Sequence, residues 1–437
     1  MTAYQHVKAS RQPVIVAAAR TPFRNAGGAY ADLPNHELGA LPLRAVMARA
    51  GVEPHELQSV ALGCVVQDAA TTNVTREAML AAGCPSSIPA YTISMAGVSP
   101  EACVTTLCDQ IALGQIDIAV GGGTENFSDL PIRAARNVRK RAVKLMTART
   151  LGQRLRILSG LRPRDLLPEL PSATDLTTGL NMGQACEAMA RRFGVTREAA
   201  DAYAVRSHQR AAGAWQNEQF GDDVIPVQAP DGSTVSRDEG VRADSSEPAL
   251  ARLKPAFDRQ AGIITAGNAS GLTDGAAALL LMSADTARQR GLMPLARVRD
   301  HVFTGVADMH TEMLMGPAVA IPRLLARNGL SHDDVDVYEV HEAFAAQILA
   351  NQAGLADPTY ARREAGVQAP AGAIPLGKLN IWGGSLALGN PFAATGGRLL
   401  ATAARRMRQS QARYGVIATC AGGGLGAAML LENPEVS

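Results

Sequence analysis

The chain has 437 residues, enough for two or more domains with sizeable cores. Hydrophobic residues make up 47%, which excludes a disordered chain, and a net charge of +2 implies no polyelectrolyte partner such as nucleic acid. No apolar run is long enough for a membrane span, and the start MTAYQHVKASRQ lacks a signal core, so a cytoplasmic protein is expected.

Residues 14–18 are apolar and read as a first strand, leading into Ala19-Arg20-Thr21-Pro22-Phe23. Residues 38–50 have helical spacing and stop at Gly51. Residues 60–66 suggest a strand, and 73–82 a helix ending at Gly83. A β-prone run at 91–95 then enters a turn of small residues, Ala96-Gly97-Val98-Ser99-Pro100. A helix is predicted over 101–113, closed by Gly114. Residues 116–120 read as a buried strand stopped by Gly121-Gly122-Gly123. Strands alternating with helices imply a parallel or mixed sheet covered on its faces. The turn at 96–100 places backbone donors at a helix N-terminus, which favours a nucleophile or an oxyanion. An ordinary tight turn fits the same stretch equally well.

Residues 131–170 carry eleven Lys or Arg, opposed only by Asp165 and Glu169. The apolar members Val138, Ala142, Leu145, Met146, Leu151, Leu155 and Leu158 recur near helical spacing. A solvated helix face, an anionic membrane surface and a partner subunit all fit such a segment. Helices follow at 180–193 and 197–215, the second capped by Thr196. Residues 231–247 are polar loops. Small residues at 266–271 let a ligand or another backbone approach closely. After a short helix at 284–290, a second half begins at 295.

That half repeats the first. Ser385-Leu386-Ala387-Leu388 leads to the turn Gly389-Asn390-Pro391, a helix over 394–408, a strand over 414–419 and another triplet, Gly422-Gly423-Gly424. Two such units in one chain suggest a duplicated α/β domain. Val340-His341-Glu342-Ala343-Phe344 follows the apolar run 335–338. A lone histidine is usually a structural hydrogen-bonder, but a strand end opening a helix favours a site. The six cysteines, Cys64, Cys84, Cys103, Cys108, Cys186 and Cys420, lack CxxC spacing and fit reduced thiols better than a disulfide framework or a zinc site.

Several of these stretches resemble the thiolase superfamily. They are the ARTPF opening, residues 91–126, the run from Asp201 to His208, LKPAF at 253–257, IITAGNASGLTDGAAALLL at 263–281, HEAF at 341–344, GNP at 389–391 and CAGGG at 420–424. The resemblance covers 19–431 and is strongest to the β-subunit type of the fatty-acid oxidation trifunctional complexes. It implies a thiolase fold, with duplicated α/β halves in an αβαβα layered core. The first half would be 1–126 with 259–294, the inserted loop domain 127–258 and the second half 295–437. It implies an acyl-CoA substrate, with coenzyme A entering as part of that substrate. No permanently bound cofactor and no metal are expected. It also implies a homodimer or homotetramer, and a partner subunit or a membrane surface engaged through 131–170.

The same resemblance assigns the site. Gly97 stands where the family has its nucleophilic cysteine, and Asn390 where the G-H-P motif has the histidine that activates it. An asparagine amide can donate a hydrogen bond but cannot take a proton near neutral pH. His341 would help hold the thioester oxygen. Cys420 would move the proton at the substrate α-carbon. The backbone N–H groups of Gly97 and Gly422 would form an oxyanion hole. Met182, Ser270, Ala343 and Phe344 would line the pantetheine, while Asn181 replaces a histidine common in thiolases. With nucleophile and base both replaced, ordinary ping-pong thiolysis is not expected. Cys103 lies roughly 9 Å further along the helix axis, and Ser99 has no evident base. The surviving groups suit enolate C–C chemistry on an acyl-CoA without an acyl-enzyme. The alternative is a non-catalytic subunit that binds acyl-CoA or a partner.

Overall fold

The structure is a computed structural model that describes residues 2–169 and 174–436. Its centre is a ten-stranded sheet. Nine of its strands form a continuous path: β1 (Pro13–Arg20), β2 (Ser59–Gly63), β3 (Ala90–Ile93), β4 (Ile118–Glu125), β5 (Thr273–Ser283), β6 (Ala296–Gly305), β7 (Val337–Val340), β8 (Tyr414–Ala421) and β9 (Leu425–Glu432). Their order is β7-β8-β9-β6-β1-β5-β4-β2-β3, and the pair Arg24–Asn25 adds to β5.

The path contains one pattern twice. In the first half β2 runs parallel to β4, and β4, β5 and β1 alternate antiparallel. In the second, β7 runs parallel to β8, and β8, β9 and β6 alternate antiparallel. Along the sheet the halves join where Val14 and Ile15 of β1 face Arg297 and Ala296 of β6. Between β8 and β9 lies only the turn Gly422–Gly424. At the equivalent place, between β4 and β5, the chain inserts residues 126–272.

Helices complete five layers. α1 (Asn35–Arg49) and α2 (Val74–Ala81) cover one outer face. α3 (Ser99–Ala112) and α11 (Phe392–Ser410) fill the middle, packing on each other and on β4, with α11 also on β8. α8 (Gly316–Asn328) covers β6, β8 and β9 on the other outer face, with α9 (Ala345–Ala356) packed on it. The middle layer has an apolar centre: Leu107, Ile111, Leu399 and Ala403 are fully buried between the half-sheets. The insertion carries α4 (Arg136–Thr147), α5 (Leu151–Leu158), α6 (Met182–Arg192) and α7 (Arg197–Gln216). A short α10 (Ser385–Leu388) precedes α11. No helix among the described residues is long and apolar enough to cross a membrane.

The two glycine triplets do different jobs, which corrects one expectation. Gly121–Gly123 do not stop their strand; β4 runs through them to Glu125. A Cβ at Gly122 would lie 2.0 Å from the Ala277 carbonyl oxygen, and one at Gly123 1.6 Å from that of Ala393. Glycine lets β5 and the start of α11 close onto β4. The second triplet does turn the chain, and Gly423 and Gly424 have φ of +78° and +70°. The strand expected over 60–66 ends at Gly63, because Glu125 draws the next loop inward through the Val65 and Val66 N–H groups at 3.1 and 2.8 Å.

The basic segment folds as α4 and α5, neither with a buried residue, and Leu170 lies outside the described residues. Several of its charges are used internally. Arg139 pairs with Glu169 at 2.7 Å, and Arg141 donates to the Ile157 carbonyl.

Candidate active site

Gly97 sits in the turn between β3 and α3. The preceding Ala96 takes the left-handed conformation, φ 49°, so Gly97 itself needs no positive φ. Ser99 closes the turn: the Met95 N–H donates to its Oγ at 2.8 Å, and its hydroxyl donates to the Ala96 carbonyl at 2.6 Å. That hydroxyl is committed to capping. A Cβ on Gly97 would lie 3.2 Å from the Cys420 carbonyl oxygen and 3.4 Å from the Ala421 Cβ. The turn before α3 therefore abuts the end of β8, two elements more than 300 residues apart in sequence. The Gly97 N–H donates to no protein acceptor among the described residues.

Cys420 is buried beside Cys186 of α6. Burial pushes its thiol up to about 12, and the negative charge of Glu101 adds to the shift. Glu101, in the first turn of α3, is itself fully buried. Burial pushes its carboxyl up to about 7, although the Thr419 hydroxyl donates to it. Gly396 of α11 makes room for that carboxyl, since a Cβ there would lie 2.5 Å from it.

Asn390 precedes α11 in a turn that Gly389, φ 101°, tucks against Thr273. Its amide is oriented by two side chains. The Thr395 hydroxyl donates to Oδ1 at 3.0 Å, and Nδ2 donates to Ser270 Oγ at 3.3 Å. Among the described residues the second amide hydrogen has no acceptor. Ser270 in turn donates its backbone N–H to the Ala343 carbonyl at 3.0 Å, and Ala269 bridges Phe344. Phe344 meets Phe257 edge-on at 6.2 Å. Met182 opens α6, where a Cβ on Gly422 would lie 3.3 Å from its Sδ. Asn181 accepts the Gln184 N–H at 2.9 Å and caps that helix. Its carbonyl oxygen thus serves the fold.

His341 follows β7, and its N–H bonds the Ala418 carbonyl of β8 at 2.8 Å. Its ring is buried, and burial with the nearby Arg398 charge brings it down to about 3, so the imidazole is neutral. Glu342 beside it is saturated by Tyr203, Ser207 and Asn380 at 3.0, 2.7 and 2.7 Å, which anchors the loop after β7 to α7.

The sequence-predicted residues thus fall into one neighbourhood. Gly97 touches the end of β8 that carries Cys420, Gly422 touches Met182, and Asn390 links through Ser270 to Ala343 and Phe344. Cys103 does not join them. It is fully buried among apolar side chains in the middle layer, and burial raises its thiol. Sequence reasoning missed Glu101, Ser385 and Arg398, which form buried polar contacts behind the site. Among the described residues, no group of three or more His, Cys, Asp or Glu could hold a metal. A surface depression of about 560 Å³ lined by Arg24, Gly28, Ser233 and Arg237 shares no residue with this cluster.

Comparison with known proteins agrees along the whole length. The family models "Thiolase, N-terminal domain" and "Thiolase, C-terminal domain" match residues 13–285 and 292–433. The mitochondrial trifunctional enzyme subunit beta of Mus musculus is 42% identical over 419 residues, 96% of this chain and 88% of that one. The 3-ketoacyl-CoA thiolase of Pectobacterium atrosepticum is 41% identical over 418 residues, 95% of each chain. The crystal structure of human mitochondrial 3-ketoacyl-CoA thiolase in complex with CoA aligns with a TM-score of 0.82 at 30% identity, over 98% of this chain and 99% of that one.

Proposed function

Because this chain belongs to the thiolase family, we propose that it acts on acyl-CoA thioesters by enolate C–C bond chemistry without a covalent acyl-enzyme. The observation that carries this reading is the contact between Gly97 and the end of β8. The position facing the Cys420 carbonyl has no side chain to receive an acyl group, while Cys420 itself remains. Cys420 takes the α-proton, and the electrons pass onto the thioester oxygen. His341 and the Asn390 amide donate hydrogen bonds to that oxygen as it becomes an enolate. Such donors, aimed at developing charge, contribute about 3–4 kcal/mol each. The nucleophilic carbon then adds to a ketone or aldehyde carbonyl, whose oxygen takes up the proton from Cys420, or to an activated acyl partner, which expels its thiolate, or it recovers the proton. Fatty-acid metabolism is the setting we assign to this chemistry.

Coenzyme A enters as part of the substrate, with Met182, Ser270, Ala343 and Phe344 along its pantetheine. Calorimetry with acetyl-CoA is expected to show binding, since none of these groups depends on the missing nucleophile. Absence of binding at millimolar ligand would remove every reading based on coenzyme A. A second reading is favoured by the burial of Cys420, whose thiol is far from ionising at neutral pH. In that reading the chain is a non-catalytic subunit that binds acyl-CoA or steadies an active partner.

The exposed hairpin of α4 and α5 supports association with an anionic membrane surface or a partner subunit. It presents Met146, Leu151 and Leu155, 85%, 73% and 59% exposed, beside its basic residues. Lys140, Lys144 and Arg156 have no side-chain hydrogen bond or ion pair among the described residues and are free to face an anionic partner. Replacing these three by Ser should weaken binding to anionic vesicles on the order of a hundredfold at low salt, at about 1 kcal/mol per charge, and less at high salt. Unchanged binding to vesicles and to co-purifying protein would leave only a solvated face. A cytoplasmic homodimer or homotetramer with this peripheral contact completes the reading.

A further inference from the structure

Ser385 opens α10, and its side chain is fully buried. Its Oγ lies 2.8 Å from His341 Nδ1 and 2.9 Å from Arg398 Nη2. A guanidinium only donates, so one lone pair of Oγ is taken by Arg398. The hydroxyl hydrogen then needs an acceptor. Among the described residues, Nδ1 of His341 is the one hydrogen-bond partner left to Oγ that can accept. The reverse arrangement, with Nδ1–H donating into Oγ, would leave the buried hydroxyl hydrogen with no protein acceptor among the described residues, a costlier state. A neutral imidazole that accepts at Nδ1 carries its proton at Nε2. Nε2 has no protein partner among the described residues, and His341 as a whole keeps 4% of its surface exposed.

Arg398 is held from behind. Its guanidinium is fully buried in α11, with Nη1 3.9 Å from Glu339 Oε2. The other carboxylate oxygen of Glu339 is bonded to Arg406 at 2.6 Å. The order of contacts is therefore Arg406, Glu339, Arg398, Ser385, His341, running from the middle layer to the site.

We propose that Ser385 and Arg398 are positioning residues that lock His341 as the Nε2–H tautomer, so that its ring presents a donor and not a base to the substrate oxygen. The identity of that oxygen rests on the acyl-CoA reading above; the lock itself does not. A ring free to change tautomer would spend part of its time presenting a lone pair to the enolate oxygen, which repels it.

Nitrogen-15 NMR of the histidine-labelled full chain tests this. The chain has eight histidines, and His341→Asn identifies the signal in question. The parent should show His341 as one tautomer, protonated at Nε2, with a hydrogen-bonded bare Nδ1. Ser385→Ala should give mixed tautomers and slow α-proton exchange of acetyl-CoA by roughly tenfold or more, with unchanged acetyl-CoA affinity. Ser385→Thr, which keeps the hydroxyl, should restore the single tautomer. A parent His341 protonated at Nδ1, or on both nitrogens, overturns the proposal, and that spectrum decides alone if Ser385→Ala does not fold. A single Nε2–H tautomer persisting in Ser385→Ala overturns it too. Acetyl-CoA failing to bind while the tautomer pattern holds would defeat the acyl-CoA reading and leave the lock standing.

Discussion

The double variant Gly97→Cys/Asn390→His should cleave a 3-ketoacyl-CoA with free coenzyme A faster than the sum of its two single variants, while the parent does so barely or not at all. A thiolate receives the acyl group and a base makes the thiolate, so each is of little use without the other, and their effects multiply. A positioned general base alone typically contributes about 10²–10⁴-fold. The structure accommodates the first change. Gly97 has no left-handed backbone, and a Cβ there would meet the Cys420 carbonyl oxygen at 3.2 Å, so the end of β8 must give by a few tenths of an ångström. The second change replaces the amide that donates to Ser270 and accepts from Thr395. Thiolysis assays of the four proteins decide the matter. Robust thiolysis by the parent would require another nucleophile. Neither nearby candidate offers one: Cys103 is sealed in the middle layer, and the Ser99 hydroxyl donates to Ala96.

The duplication was legible because a turn, a helix, a strand and a glycine triplet recur in the same order at 91–126 and 385–424. Local periodicity and glycine content are enough to show that. The role of each triplet was not legible. Gly122 and Gly123 are needed where β5 and α11 press on β4, and those neighbours come from residues more than 150 positions away. The site residues were found because each sits at the end of a strand or the start of a helix inside a recognisable motif. Ser385, Arg398 and Glu101 lie in helices at positions to which the recognised motifs assign no role. Their importance is a matter of which side chains tertiary packing removes from water. Arg139 and Arg141 illustrate the converse. They read as free surface charge in the sequence but brace the α4–α5 hairpin in the fold.

Packing also changes what Cys420 can do. An exposed cysteine has a reference pKa of about 8.5 and would be a small but useful fraction thiolate at neutral pH. Backbone donors pointing at a thiol would enlarge this fraction. Burial does the opposite and pushes the thiol up to about 12. Below its pKa a thiol gains thiolate about tenfold per pH unit, so α-proton exchange of acetyl-CoA in D₂O should climb nearly tenfold per unit between about pH 6 and 9. Mass spectrometry of the recovered acetyl-CoA measures it, and Cys420→Ala, which supplies the solvent background, should abolish the enzymatic part. Glu101 bends the profile. Its carboxyl, pushed up to about 7, is neutral in more acidic solution and anionic above, where its charge raises the cysteine further. The slope should therefore dip just above pH 7, and Glu101→Gln should remove the dip and speed exchange a fewfold on the alkaline side only. A plateau below pH 8 would mean a thiolate far more stable than its burial permits. Exchange absent at every pH, with acetyl-CoA bound, would instead make the chain a binding subunit whose site has kept its shape and lost its reaction.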